Sequence, residues 1–295
     1  MLRILDARTG EPVPAAPARR GLTRIGVHAS GLDPTGLRVL LTADLLVRAL
    51  ELGGTPVWTI LTAPRDQPEL RTAAARLAIR PFEDGRDLAS GLGEAQALHV
   101  ARRGFEDTPG EGPVVSVAPV EWTAGAGPAA GQAAGGTEGG PRAGETAGGT
   151  EGGIRTGGAA AEGGAGAAAG RSEGRSLPPV LLADPSALRL ALLAVPRGEP
   201  ARLDPGALDD AARGLARWRR AVAGWARRPS RPVPGEVRER LRAAWEDDLD
   251  LPAVLGVLRE VESAPGIPDG ARFETYAYAD RLLALDLARD LGSPA

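Results

Sequence analysis

Few of the side chains that enzymes use for chemistry occur in this chain of 295 residues. It has no cysteine, lysine or asparagine, and its only histidines are His28 and His99. Lysine bases, Schiff bases, phosphate-loop lysines and cysteine nucleophiles are therefore excluded. A Ser-His-Asp triad would need one of the two histidines, and a histidine-rich or thiolate zinc site cannot form. His28 is either a ligand or acid–base group or an ordinary strand-end histidine, and His99 is predicted to be a core residue.

Arginine carries all of the side-chain positive charge. The chain has 35 basic residues and a net charge of -3, so no global excess indicates nucleic acid. Residues 213–231 nevertheless combine Trp218 and Trp225 with seven arginines, namely Arg213, Arg217, Arg219, Arg220, Arg227, Arg228 and Arg231. This segment is the best candidate for a surface that binds RNA or an acidic partner. The alternative is a solvated helix face, because Trp218 fits an apolar stripe.

A cluster of carboxylates offers a second kind of candidate site. Asp247, Asp248 and Asp250 could bind a cation, but no complete calcium-loop pattern accompanies them. Acidic residues also favour helix N-termini, so we predict capping here and no metal site.

Composition divides the chain into three parts. Residues 123–176 are mostly Gly, Ala, Thr and Glu, and Gly-Gly-Thr-Glu-Gly-Gly begins at both Gly135 and Gly148. Such a segment buries too little apolar surface to offset its ordering entropy, which predicts a disordered Gly/Ala-rich linker. The domains are then residues 1–122, the linker 123–176, and residues 177–295. A phosphate-binding Gly-rich loop is the alternative, but no strand precedes it and no helix follows.

The part before the linker alternates strand and helix patterns. Residues 23–27 and 56–61 are predicted strands flanking a helix over 36–52, which indicates a parallel β-α-β unit. Further helices are predicted over 67–77 and 85–97, and strands over 98–101 and 114–117.

After the linker, a strand is predicted over residues 180–182 and a helix from Asp184 to residue 193. Further helices are predicted from Asp204, over 236–246, from Asp250 and over 272–291. We therefore predict an α/β, Rossmann-like N-terminal part with a reduced parallel sheet, followed by a C-terminal α-helical bundle. The segment 181–193 is expected to join the two parts.

Several segments, in order, resemble the cysteinyl-tRNA synthetase family, especially its mycothiol-pathway branch, which joins cysteine to an amino-sugar inositol. Residues 25–29, Ile-Gly-Val-His-Ala, lie where the family reads Met-Tyr-Val-Cys-Gly, and residues 184–193 resemble the helix after its second signature. The other similar segments are residues 2–6, 9–11, 44–48, 52–53, 215–219 and 247–252. The resemblance implies a class I aminoacyl-tRNA synthetase fold that activates cysteine with ATP.

The sequence departs from that family at its catalytic elements. The family's His-x-Gly-His motif contacts the triphosphate at a helix N-terminus, whereas this chain has Asp33, Pro34, Thr35 and Gly36 there. The second signature, Lys-Met-Ser-Lys-Ser, cannot exist without lysine. One zinc-binding cysteine of the family falls opposite His28 and the other ligands have no counterpart. Zinc is therefore not expected, and ATP is expected only if the ancestral pocket survives.

Three functions follow from this comparison. We expect a non-catalytic paralogue, a pseudoenzyme with no catalytic residues that binds a protein, such as an active homologue or a biosynthetic enzyme, or RNA. The second hypothesis is an ATP-dependent ligase that forms an aminoacyl-adenylate in a degenerate site, with Arg38 or Arg189 replacing the signature residues. The third is a module that binds tRNA or other RNA through residues 213–231.

The sequence offers little sign of targeting. The first residues lack a charged-then-apolar signal pattern, and no apolar run reaches the ~20 residues that span a bilayer. We expect a cytoplasmic protein with no membrane partner.

Overall fold

A computed structural model of the protein describes residues 1–17, 22–84, 96–105, 110–124 and 177–292. The predicted linker 123–176 lies outside the described residues except for Thr123 and Ala124. The predicted helix over 85–97 also lies outside them, apart from its last two residues. The described residues belong to one compact unit.

The described residues form a central parallel sheet, two small sheets and seven helices. The strands are β1 (Arg3–Leu5), β2 (Pro12–Pro14), β3 (Thr23–His28), β4 (Val57–Thr62), β5 (Glu83–Asp84), β6 (Gln96–Arg102), β7 (Val114–Val117), β8 (Val120–Trp122) and β9 (Ala201–Leu203). The helices are α1 (Pro34–Leu52), α2 (Gln67–Arg76), α3 (Pro185–Leu193), α4 (Pro205–Trp225), α5 (Gly235–Glu246), α6 (Leu251–Ser263) and α7 (Asp269–Leu283).

The central sheet has the strand order β5-β4-β3-β6-β7, and all of its pairs are parallel. This arrangement confirms the predicted α/β part with its parallel sheet. The register sets Gly26 of β3 opposite both Ile60 of β4 and His99 of β6. Strand residues alternate between the two faces, so Ile25 and Val27, which are fully buried, lie on the face opposite to Gly26.

Helix α1 is the central element of the core. It contacts four of the sheet strands on one side and α7 on another. Burial on several sides explains why its sequence is apolar nearly all round, beyond the single stripe of a surface helix. Asp33 caps its N-terminus, with Pro34 at the first helical position. Gly54, with φ of +80°, follows its C-terminus, where left-handed backbone favours glycine.

Short strands tie the ends of the compact unit together. The β1–β2 hairpin lies beside β7, where the amide of Ala7 donates to the carbonyl of Val114 at 2.8 Å. Strand β8 pairs in parallel with β9, so residues 120–122 bond to residues 201–203. The chain on either side of the predicted linker therefore meets in direct backbone hydrogen bonds.

Helices α4 to α7 form the helical part that the sequence predicted. Asp204 and Asp250 cap α4 and α6 by accepting hydrogen bonds from Ala207 and Ala253 amides, at 2.7 and 3.0 Å. In the core of this part the rings of Trp218 and Trp225 meet the ring of Tyr276 edge-on, with centroids 5.8 and 5.1 Å apart. Such aromatic contacts are favourable beyond the area they bury.

Several details differ from the sequence prediction. The predicted strand over 180–182 is wrong: Pro179–Leu182 is a 3-10 helix, and consecutive prolines there have no amide to donate to a sheet. The last helix is Asp269–Leu283 rather than 272–291, and it ends at Ala284 with φ of +48°. Strands β2, β5, β8 and β9 were not predicted. No helix among the described residues is long and apolar enough to cross a membrane.

Candidate functional site

The N-terminus of α1 lies where the resemblance predicts a triphosphate site. The Asp33 Oδ1 accepts a hydrogen bond from the Gly36 amide at 2.7 Å, and the Thr35 hydroxyl oxygen accepts one from the Val120 amide at 3.0 Å. Pro34 has no amide hydrogen to offer. The residues of the degenerate signature therefore cap the helix and fasten it to β8, and they leave little hydrogen-bonding capacity for an anion.

The turn before α1 is closed by a second carboxylate. The Asp66 Oδ2 accepts a hydrogen bond from the Leu32 amide at 3.1 Å. Gly36 packs so tightly that a Cβ there would lie 2.5 Å from the carbonyl oxygen of Gly31. Helix N-termini bind anions through free amides and the helix dipole. Here two aspartates already accept from the amides, so these residues do not fit a bound triphosphate.

The two histidines of the chain meet on the sheet. The Nε2 of His28 is 3.1 Å from the Nδ1 of His99, and the ring centroids are 5.3 Å apart. Their approach depends on Gly26, since a Cβ on that residue would lie 2.7 Å from the Nδ1 of His99. The ring of Phe105 lies 5.3 Å from that of His28. The pair is thus packed on the face opposite to Ile25.

Hydrogen bonding fixes the tautomers of the pair. The Nε2 of His99 lies 3.0 Å from the carbonyl oxygen of Glu111 and must donate to it. The Nδ1 of a neutral His99 then accepts, so the Nε2 of His28 donates. Burial lowers the pKa of His99, the Glu111 carbonyl opposes this shift, and the charges of Arg8 and Arg24 add to it. Burial therefore favours the neutral form of His99.

Zinc does not fit this pair. Structural zinc sites take four ligands and catalytic sites take three protein ligands. The described part of the chain has no group of three His, Cys, Asp or Glu residues that could hold a metal. The carboxylate cluster is also engaged: Asp250 caps α6, and Asp248 accepts from the Leu5 amide at 2.7 Å and pairs with Arg197.

Arg38 makes internal hydrogen bonds with both terminal nitrogens of its guanidinium. It is buried in α1 and donates to the carbonyls of Ala118, Val195, Pro196 and Glu199, at 2.6 to 3.2 Å. Burial, together with the charges of nearby arginines, lowers its pKa to about 10. The side chain thus anchors α1 to the turn after α3.

Arg189 makes a comparable anchor in α3. Its Nη2 donates to the Asp44 Oδ2 at 2.9 Å, and both side chains are almost wholly buried. Its Nε and Nη1 donate to the carbonyls of Leu283 and Leu77, at 2.6 and 2.7 Å. Burial lowers the pKa of Arg189, and Asp44 opposes that shift. Like Arg38, this arginine contacts internal acceptors and lies away from solvent.

The arginines of residues 213–231 are mostly exposed along one side of α4 and the turn that follows it. Arg213 pairs with Asp210, and Arg217 pairs with Glu262 at 3.1 Å. Arg219 donates to the carbonyls of Leu285 and Asp286, and Arg220 to that of Ala216. Arg227, Arg228 and Arg231 are exposed and have no carboxylate partner within the described ranges.

The two tryptophans of this segment are core residues. Trp218 is 2% exposed and Trp225 is 9% exposed. They cannot stack on bases, which removes the aromatic half of the predicted RNA surface. The arginines therefore remain as a purely electrostatic surface.

The histidine pair was missed by the sequence prediction. His28 and His99 are 71 residues apart, and only the register of β3 against β6 brings them together. The sequence predicted the two strands, over residues 23–27 and 98–101. It did not predict which residues of the two strands lie side by side, because the register of a parallel pair cannot be read from the pattern alone.

Comparison with known proteins gives a partial match. No protein-family model matches the chain. It is 37% identical over 105 residues to the L-cysteine:1D-myo-inositol 2-amino-2-deoxy-alpha-D-glucopyranoside ligase of Thermobispora bispora. The matched residues make up 36% of this chain and 25% of that enzyme. The chain is 39% identical over 110 residues to the ligase of the same name from Acidothermus cellulolyticus, with the same two coverages.

The matched portion is short on both sides. The chain spans about a quarter of the length of the curated relatives that it matches. The resemblance read from the sequence is thereby confirmed over about a third of the chain, which is similar to about a quarter of these cysteine ligases.

Proposed function

We propose that this chain is a non-catalytic relative of the cysteine ligases and that it acts by binding a partner. The observation that carries the proposal is the closed N-terminus of α1, where Asp33 and Asp66 accept hydrogen bonds from the amides of Gly36 and Leu32. In an active enzyme of this kind the same place must accept several negative charges. Two like charges ~4 Å apart repel by several kcal/mol at an intermediate dielectric.

Arg38 and Arg189 do not compensate for these carboxylates. Arg38 and Arg189, which the alternative hypothesis would use against the phosphates, are bonded to internal carbonyls and to Asp44. Moving either guanidinium to a ligand would leave buried acceptors without a donor, which costs about 1–3 kcal/mol for each. A lysine-based second signature is also absent from the sequence.

The ligase alternative rests on the partial sequence identity alone. It is tested by ATP–pyrophosphate exchange, measured with cysteine and then with each other amino acid. We expect no exchange above the level without protein. Amino-acid-dependent exchange that is lost in Arg38→Gln, with folding retained, would replace our proposal with a ligase that uses a degenerate site.

A second candidate function is binding of a polyanion such as RNA. It is supported by the exposed Arg227, Arg228 and Arg231, which lack a carboxylate partner in the described ranges. With Trp218 and Trp225 buried, such contacts would go to phosphates and would carry little sequence specificity.

Fluorescence anisotropy with a labelled single-stranded RNA tests this second function. Replacing Arg227, Arg228 and Arg231 together by Gln should weaken binding and reduce its salt dependence by about 2 to 3 phosphate contacts. The matched control replaces Arg238, Arg240 and Arg242 of α5 by Gln. Equal losses in both triple variants, or salt-independent binding, would argue against a site at the end of α4.

A further inference from the structure

A second concave site lies apart from the N-terminus of α1. A groove of about 450 Å³ runs between α3, β9, the first half of α4 and α6. Its volume falls in the range of known small-molecule sites. The degenerate signature residues, Asp33 to Gly36, do not line it.

Small side chains on two helices create the groove. Helix α4 presents Ala207, Ala211 and Gly214 at helical spacing, and α3 presents Ala191 and Ala194 towards them. A Cβ added at Gly214 would meet no atom within 4 Å. Larger residues at these positions would fill the space between the two helices. The groove is therefore open because this sequence has small residues there.

The floor of the groove is apolar. Leu190, Leu203 and Trp218 line it and are 7%, 2% and 2% exposed. Around them Val195, Ala207 and Ala211 are half-buried and keep apolar surface that a ligand can cover. Apolar walls of this kind favour the burial of hydrocarbon.

The rim of the groove is mainly cationic. Arg202, Arg217 and Arg259 line it, against the single carboxylate of Asp210. Asp210 is already paired with Arg213. Among the described residues, Arg259 has no carboxylate partner.

The other two rim arginines are held to different degrees. The pair of Arg202 with Glu121 spans 3.5 Å, and its side chains are 84% and 54% exposed. An exposed pair of this kind contributes little to stability, so an incoming anion can share or replace it. Arg217 donates two hydrogen bonds to Glu262, at 3.1 and 3.3 Å, and is held by that carboxylate.

We propose that this groove binds a small carboxylic acid with an apolar body, such as a medium-chain fatty acid. The hydrocarbon would cover Val195, Ala207 and Ala211 beside the buried floor, and the carboxylate would lie at the arginine rim, where Arg259 is free to donate. Guanidinium and carboxylate form paired, charge-assisted hydrogen bonds. A cationic amphiphile would bring like charge to the same rim. The inference holds whether or not the ligase site is inactive, because the two sites share none of these residues.

Calorimetric titration of the full chain with decanoate, below its micelle concentration, tests the proposal. Decylamine is the matched ligand of opposite charge. We expect decanoate to bind and decylamine to bind about tenfold or more weakly, as the loss of a charged hydrogen bond implies. No binding of decanoate, or equal binding of both ligands, would overturn the proposal.

Substitutions at two glycines of α4 test the location of the site. Gly214→Leu places a side chain in the groove and should reduce decanoate affinity about tenfold or more. Gly224→Leu, on the same helix but outside the groove, also meets open space and should bind as the wild type does. Helical circular dichroism and the melting temperature should show that both variants are folded. Unchanged affinity in Gly214→Leu would refute this location.

Substitution of Arg259 tests whether this residue gives the groove its preference for an anionic ligand. Arg259→Gln should weaken decanoate binding about tenfold and leave the binding of uncharged decanol unchanged. Arg228→Gln, which removes an exposed arginine outside the groove, is the control and should have no effect on either ligand. A wild-type affinity for decanoate in Arg259→Gln would contradict the role of the rim.

Discussion

Replacing Arg189 by methionine should destabilise the fold and should leave any binding activity of the folded protein intact. Arg189 is 1% exposed. It links Asp44 in α1, at 2.9 Å, to backbone carbonyls near the ends of α2 and α7. Methionine fills a similar volume but can donate no hydrogen bond. The substitution therefore removes one ion pair and two further hydrogen bonds from the interior.

The size of the effect follows from these contacts. Removing one partner of a buried ion pair costs about 3–5 kcal/mol, because the other charge stays buried without compensation. Arg48 still contacts the Asp44 Oδ2 at 2.8 Å, which limits the penalty on that side. The carbonyls of Leu77 and Leu283 each lose a charged donor, at about 1 kcal/mol or more each. We expect a total loss of about 3–5 kcal/mol, a large part of the ~5–15 kcal/mol typical of folded proteins.

Urea denaturation followed by tryptophan fluorescence measures this loss. Adding Asp44→Leu to Arg189→Met removes the orphaned carboxylate. The double variant should then lose less stability than the sum of the two single variants, by about 1–3 kcal/mol of coupling. Strict additivity would mean that the two side chains do not interact in solution.

Arg240 supplies the matched control. Its pair with Glu260 is surface-exposed, at 44% and 61%, so Arg240→Met should cost no more than about 1 kcal/mol. An equally small loss in Arg189→Met would refute the reasoning. A variant that is fully stable yet has lost a ligand would restore the hypothesis that Arg189 is a binding residue.

Three further predictions concern the sheet and the start of α1. Asp33→Ala should cost about 1 kcal/mol of unfolding free energy because the Gly36 amide loses its cap, whereas Asp33→Ser should restore most of it. Gly36→Ala should destabilise the protein, since its Cβ would lie 2.5 Å from a backbone oxygen. Because burial lowers the pKa of His99 from its ordinary value of 6.5, the unfolded state binds more protons between the two pKa values. Wild-type stability should therefore fall as pH drops below about 6.5, and His99→Gln should lack this component.

Each of these predictions has its own control. Gly214→Ala, in open space on α4, should stabilise the protein by about 0.5–1 kcal/mol, in contrast to Gly36→Ala. Thermal denaturation compares the four substitutions at Asp33, Gly36 and Gly214. For His99, the free energy of unfolding in urea is compared between wild type and His99→Gln from about pH 7.5 to about pH 5. Identical pH profiles of wild type and His99→Gln would show that this pair does not titrate with folding.

Local signals in the sequence determine much of this fold. The cap residues Asp33, Asp184, Asp204 and Asp250 mark the starts of four helices, and each carboxylate accepts the expected amide hydrogen bond. The β-α-β unit of β3, α1 and β4 also follows from residue periodicity. Caps and periodicity act over a few residues, so a single sequence contains them in full.

Features that depend on distant residues were not predicted. Strand β9 has only three residues and pairs with β8 from beyond the predicted linker. Its position depends on that partner and is not indicated by its own pattern. The sequence alone suggests Arg38 and Arg189 as ligand contacts, because a lone arginine in an apolar segment indicates function as readily as structure. Only the placement of the carbonyls around them reveals the internal role.

The most direct test of the central claim is the melting temperature of the protein with a non-hydrolysable cysteinyl-adenylate analogue. A ligand at ~100 times its Kd adds about 2.7 kcal/mol to the folded state, which would raise the melting temperature by several degrees. Because Asp33 and Asp66 close the N-terminus of α1, we predict no shift. A clear rise with the analogue, absent with cysteine alone, would show that the ligase pocket survives and would contradict the account.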